Sequence, residues 1–166
     1  MKLLPLENIT FKTQLPSDEV ISRLDGLVEP EKGLRFSLFN SASTKPYEGQ
    51  IYGQTFRMKR IIGYRNSFLP RIKGVVSTDY DGTTIRVTMR LHVVVLVFLC
   101  FWCGFIGLVC LGILSRLSDD AEGKLVDLVP FGMLGFAYAL TMVAFKMESI
   151  RAKKVLQRAF EADILS

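Results

Sequence analysis

The stretch Val93-Val94-Val95-Leu96-Val97-Phe98-Leu99-Cys100-Phe101-Trp102-Cys103-Gly104-Phe105-Ile106-Gly107-Leu108-Val109-Cys110-Leu111-Gly112-Ile113-Leu114 runs for 22 residues without a charge. As a helix it reaches roughly 33 Å, enough to cross a hydrocarbon core of about 30 Å. A soluble helix buries one stripe and rarely needs an apolar residue at every position. A second uncharged run, Leu128 to Phe145, follows after thirteen residues. Together they predict an integral membrane protein with a transmembrane hairpin, its spans at about 93–114 and 128–145.

Charge sets the expected orientation. Lys73, Arg86 and Arg90 precede the first span, and Lys146, Arg151, Lys153, Lys154 and Arg158 follow the second, whereas the connection holds Arg116 and Lys124. Cations are retained on the cytoplasmic side, so both termini are expected in the cytoplasm. Met1 to Leu6 is too short an apolar run for a signal peptide, and the first span is expected to serve as its own insertion signal. Asn8-Ile9-Thr10 matches a glycosylation acceptor, but on the wrong side of the membrane. The net charge of +5 gathers on both sides of the hairpin rather than along one face of a soluble domain. The expected partner is therefore the lipid bilayer with its anionic headgroups, not nucleic acid.

Ahead of the spans, residues 1–92 have room for one small domain. Asn8 to Thr13 alternates as a strand. Pro16-Ser17-Asp18-Glu19 opens a helix with Val20, Ile21, Leu24, Leu27 and Val28 on one face, ended by Pro30. Leu34, Phe36 and Leu38 predict another strand, and Tyr47 to Tyr64 reads as extended with a turn or bulge near Gly49 and Gly53. Ile72 to His92 predicts a hairpin about Asp81-Gly82, which pairs Val76 with Val87, Gly74 with Met89, Ile72 with Leu91 and Lys73 with Arg90. The alternation runs through His92 into the first span with no linker. Beyond the second span, Lys146 to Leu165 predicts a basic amphipathic helix, either lying on the membrane or docking on the domain.

Arg71, Lys73, Arg90 and His92 fall at headgroup level and are candidates for anionic headgroups, although ordinary interfacial charges need no lipid specificity. Tyr64, Arg65, Asn66 and Ser67 form a polar loop that is a candidate partner site, or simply a solvated turn. Cys100 and Cys103 have redox-pair spacing, but a thiolate inside a span is desolvated. Cys103 with Gly107, and Gly135 with Ala139, offer small residues for helix packing or homo-oligomer contact. Trp102, Tyr138 and Thr141 carry polar groups that need partners within the apolar runs. No catalytic constellation, metal-ligand spacing or cofactor motif is read from the chain.

The sequence thus predicts an α+β membrane protein: a cytoplasmic domain (1–92) of one helix on a mainly antiparallel sheet, a transmembrane hairpin (93–145) and a basic cytoplasmic helix (146–166). The expected role is non-enzymatic, a tethered interaction or sensing module at the cytoplasmic membrane surface. The alternatives are an accessory subunit bound to a membrane-protein partner and an enzyme acting on a membrane lipid.

Overall fold

The computed structural model describes residues 4–30, 45–62, 67–118 and 125–165. In chain order these form β1 (Leu6–Thr13), α1 (Ser17–Leu27), β2 (Val28–Pro30), β3 (Tyr47–Tyr52), β4 (Thr55–Arg60), β5 (Arg71–Asp79), β6 (Gly82–Arg90), α2 (Val93–Ser118), a short 3-10 turn (Leu125–Leu128), α3 (Val129–Phe160) and β7 (Asp163–Leu165). The architecture is α+β. Among the described residues the strands form one sheet in the order β2-β3-β4-β5-β6-β1-β7. It is a mixed sheet, because β2 and β3 are parallel while the other neighbours are antiparallel.

Period-two alternation gives the sheet an apolar face. Ile9 and Phe11 of β1, Phe56 and Met58 of β4, Ile72 and Val76 of β5, and Ile85, Val87 and Met89 of β6 are buried there. Val20 and Leu24 of α1 cover part of that face. The remainder is covered by the second half of α3, through Phe145, Ala152, Leu156 and Phe160. Two helices therefore pack on the sheet, and of the two placements open to the C-terminal helix it takes the one docked on the domain. Phe160 meets Phe11 edge-on, with ring centroids 6.1 Å apart, and its carbonyl accepts a hydrogen bond from Thr13 Oγ1 at 2.7 Å.

α3 is thus two structures in one helix. It packs against α2, and its apolar first half runs without a break through residue 146 into the core of the sheet. The helix does not continue to Leu165. Glu161 adopts a left-handed conformation, φ 47, and the Ala162 N–H donates to the Gln157 carbonyl at 3.2 Å. Those bonds close a Schellman stop, after which β7 pairs with β1.

The hairpin also differs from expectation. Its two-residue turn is Tyr80-Asp81, so Asp79 faces Gly82, Val76 faces Ile85 and Ile72 faces Met89. The predicted register is displaced by two residues. A two-residue slip returns each side chain to the same face, which is why the buried set is unchanged while every partner differs. Gly82 supplies its positive φ, +122, as the residue after the turn, a position at which hairpins also use glycine. β1 approaches it so closely that a Cβ there would lie 2.3 Å from the Thr13 carbonyl oxygen. The predicted strand through Leu34, Phe36 and Leu38 lies outside the described residues.

Candidate functional site

The outer face of the sheet collects cations from three strands. Arg57 of β4 stands opposite Lys73 of β5, and Lys59 opposite Arg71. Arg71 in turn stands opposite Arg90 of β6, and Arg86 lies on the same face, between Val75 and Thr10. The corrected register thus separates Lys73 from Arg90: Lys73 pairs with Thr88, and Arg90 with Arg71. Like charges directly opposed across a strand pair repel. Among the described residues Arg57, Arg71, Lys73, Arg86 and Arg90 are exposed and form no ion pair, whereas Lys59 lies 3.1 Å from Glu48.

Two concavities occur here. A hollow of about 200 Å³ is lined by Arg57, Lys59, Arg71 and Lys73 together with Gln50. A cleft of about 510 Å³ lies where the sheet meets α2, with Glu48, Lys59, Arg60, Arg71 and His92 on its polar side. Ile61, Ile62, Leu69, Val94 and Val95 supply its apolar side. His92 caps α2: its Nδ1 accepts the Val94 N–H at 3.1 Å. Nδ1 is then occupied as an acceptor, so the neutral ring carries its proton on Nε2.

The opposite face holds a polar belt between the sheet and α3. The Glu148 side chain, 6% exposed, receives hydrogen bonds from Arg60 Nη1 and Arg151 Nη1, each at 2.8 Å. Glu7 bonds Lys153 at 2.8 Å and accepts from the Ser149 hydroxyl. Burial works to raise the Glu7 carboxyl, but the hydrogen bonds from Lys153 and Ser149 and the charges of Lys153 and Lys146 outweigh it, leaving it below its ordinary value. Burial raises the Tyr47 phenol, with Arg60 opposing the shift and Glu148 adding to it. This belt joins strand ends to residues 148–153 of α3.

No family model, curated protein or solved structure matches this chain.

The sequence-predicted residues are divided between these places. Arg71, Lys73, Arg90 and His92 lie on or beside the cationic face. Ser67 is exposed at the rim of the cleft, and Tyr64, Arg65 and Asn66 lie outside the described residues. Cys103 and Gly107 are partly covered on α2, whereas Gly135 and Ala139 are exposed on α3. A Cβ added at Gly107 or Gly135 would meet nothing within 4 Å, so neither glycine is held by close contact between α2 and α3. Thr141 donates to the Ala137 carbonyl of its own helix at 2.8 Å and needs no partner helix. Arg57 and Lys59 are site residues that the sequence does not single out, whereas alternation along the hairpin already puts Arg86 on the face of Lys73 and Arg90. The signal was the alternation Arg57-Met58-Lys59, which puts two cations on one face but does not say which strand lies beside them. Among the described residues no group of three or more His, Cys, Asp or Glu side chains has the geometry to hold a metal.

Proposed function

We propose that this protein is a non-enzymatic membrane-anchored module that inserts α2 and the first half of α3 as a hairpin and holds its basic sheet face against the anionic cytoplasmic surface. The observation that carries this reading is the continuity of α3. Its first half leaves Phe131, Met133, Phe136, Leu140 and Val143 exposed, while its second half is core to the sheet domain. On α2, Val97, Phe98, Phe101, Phe105, Leu108 and Leu111 are likewise exposed. A contiguous apolar surface of that extent is unfavourable in water and suited to lipid.

The domain is joined to the hairpin twice, through Leu91-His92 into α2 and through the unbroken α3. Two such joints fix the height of the sheet above the bilayer. Each cation near an anionic leaflet gains about 1 kcal/mol, so the cluster from Arg57 to Arg90 favours the cytoplasmic side.

Site-directed labelling tests the anchoring. In a background lacking Cys100, Cys103 and Cys110, single cysteines replacing Tyr80 at the hairpin turn and Leu125 between the helices should react from opposite sides of sealed vesicles. Reaction of both from one side, or release of the protein by alkaline carbonate, would reject the inserted hairpin.

A further inference from the structure

The hollow and the cleft share Lys59 and Arg71. The four cations around the hollow form two directly opposed like-charge pairs, and among the described residues Glu48 is the carboxylate in ion-pair contact with any of them. Lys73 is two residues along β5 from Arg71, about 6.6 Å, on the side away from α2. The most cationic part therefore stands furthest from the start of α2, and the apolar wall of Ile61, Ile62, Leu69, Val94 and Val95 stands closest to it.

We infer that this surface binds one phospholipid whose headgroup carries more than one phosphate, an inference that rests on the membrane-anchored reading above. The headgroup phosphates occupy the hollow, where arginine donates in the paired geometry that suits phosphate oxygens. The glycerol end and the upper acyl chains lie on the apolar wall beside the first turn of α2. A headgroup with a single phosphodiester brings too little charge to offset both opposed pairs, and its phosphate sits at the membrane end. A soluble polyphosphate would fill the hollow but leave the apolar wall bare. The lipid uses both, and Arg71 and Lys59 lie at the junction.

The full-length protein in neutral detergent micelles is titrated with phosphatidylinositol bisphosphate, phosphatidylserine, phosphatidylcholine and soluble inositol trisphosphate, with stoichiometry read by native mass spectrometry. The expected result is one saturable equivalent of phosphatidylinositol bisphosphate, bound about tenfold or more tighter than phosphatidylserine or inositol trisphosphate, a gap of about 1.4 kcal/mol. The pair Arg57→Gln with Lys73→Gln should weaken lipid and soluble headgroup alike. The pair Ile61→Ser with Ile62→Ser should weaken the lipid alone. Both variants are first shown to unfold at the parent's temperature, and single substitutions replace either pair that does not.

Equal affinity for phosphatidylserine would overturn the site and reduce the face to a diffuse basic surface, leaving the anchored module standing. Equal affinity for inositol trisphosphate would overturn the lipid assignment in favour of a soluble phosphate compound. Absence of saturable binding would overturn both. Failure of the vesicle labelling, by contrast, removes the anchored reading whatever the titration shows.

Discussion

Arg60, the last residue of β4, donates from Nη1 to Oε2 of Glu148 at 2.8 Å, across 88 residues of sequence. The contact ties a central strand of the sheet to α3 at the first turns beyond its apolar half. Glu148 also receives Arg151, so one nearly buried carboxylate answers two guanidinium groups. Replacing it removes the acceptor of both. Glu148→Ala is expected to lower stability by about 2 kcal/mol, less than the cost of breaking a fully buried pair because Arg60 keeps partial access to water. Urea unfolding of the detergent-solubilised protein would measure it. A double-mutant cycle with Arg60→Ala should be non-additive, and strictly additive losses would show that the two side chains do not act together.

The Gly82 contact with Thr13 predicts a steep dependence on side-chain size. A Cβ would lie 2.3 Å from a backbone oxygen, and φ +122 is unfavourable for any L side chain. Gly82→Val should cost about 2 kcal/mol or more. Gly53 provides the control, since it has φ +55 and open space around it. Gly53→Asn should cost under about 1 kcal/mol. Comparable melting of the two variants would refute the close approach of β1 to Gly82.

Glu7 predicts acid sensitivity of the joint between β1 and α3. Its carboxyl lies below the ordinary value of 4.5 in the folded protein, so as pH falls the unfolded chain takes up the proton first. The stabilising contribution is then complete above pH 4.5 and disappears as pH falls through the lower folded value. Glu7→Gln should flatten that acid limb. Should parent and variant lose stability in parallel from neutral pH to below 4.5, the ion pair with Lys153 contributes nothing.

The C-terminal half of α3 is predicted to be indispensable to the sheet. Leu156 and Phe160 are fully buried against it. Leu156→Ala should cost about 3 kcal/mol from lost burial and the cavity left behind. A chain truncated after residue 145 should leave the sheet open to proteolysis although every strand from β1 to β6 is retained. Resistance equal to that of the full chain would contradict this division of the core.

What the sequence settled by itself follows from short-range periodicity. The apolar runs from Val93 and from Leu128 mark the helices long enough to cross a bilayer, because absence of charge over that length is legible without knowing any neighbour. The inward positions Ile72, Val76, Ile85 and Val87 were equally legible, because strand alternation does not depend on register. The helix face of Val20 and Leu24 came from the 3.6-residue period.

Only the tertiary structure decided which residues meet. The hairpin register was hidden because a slip of two residues is invisible to a pattern with period two, and the close approach of Thr13 to Gly82 joins residues nearly seventy apart. That slip moved Arg90 from Lys73 to Arg71, and the separate pairing of β4 with β5 set Arg57 and Lys59 beside them, assembling a cationic face that no single segment announces. The burial of Ala152, Leu156 and Phe160 against the sheet was likewise undetermined, since an apolar helix stripe suits a membrane surface as well as a protein core. Periodicity specifies which face of an element is apolar; what covers that face depends on contacts between residues far apart in the chain.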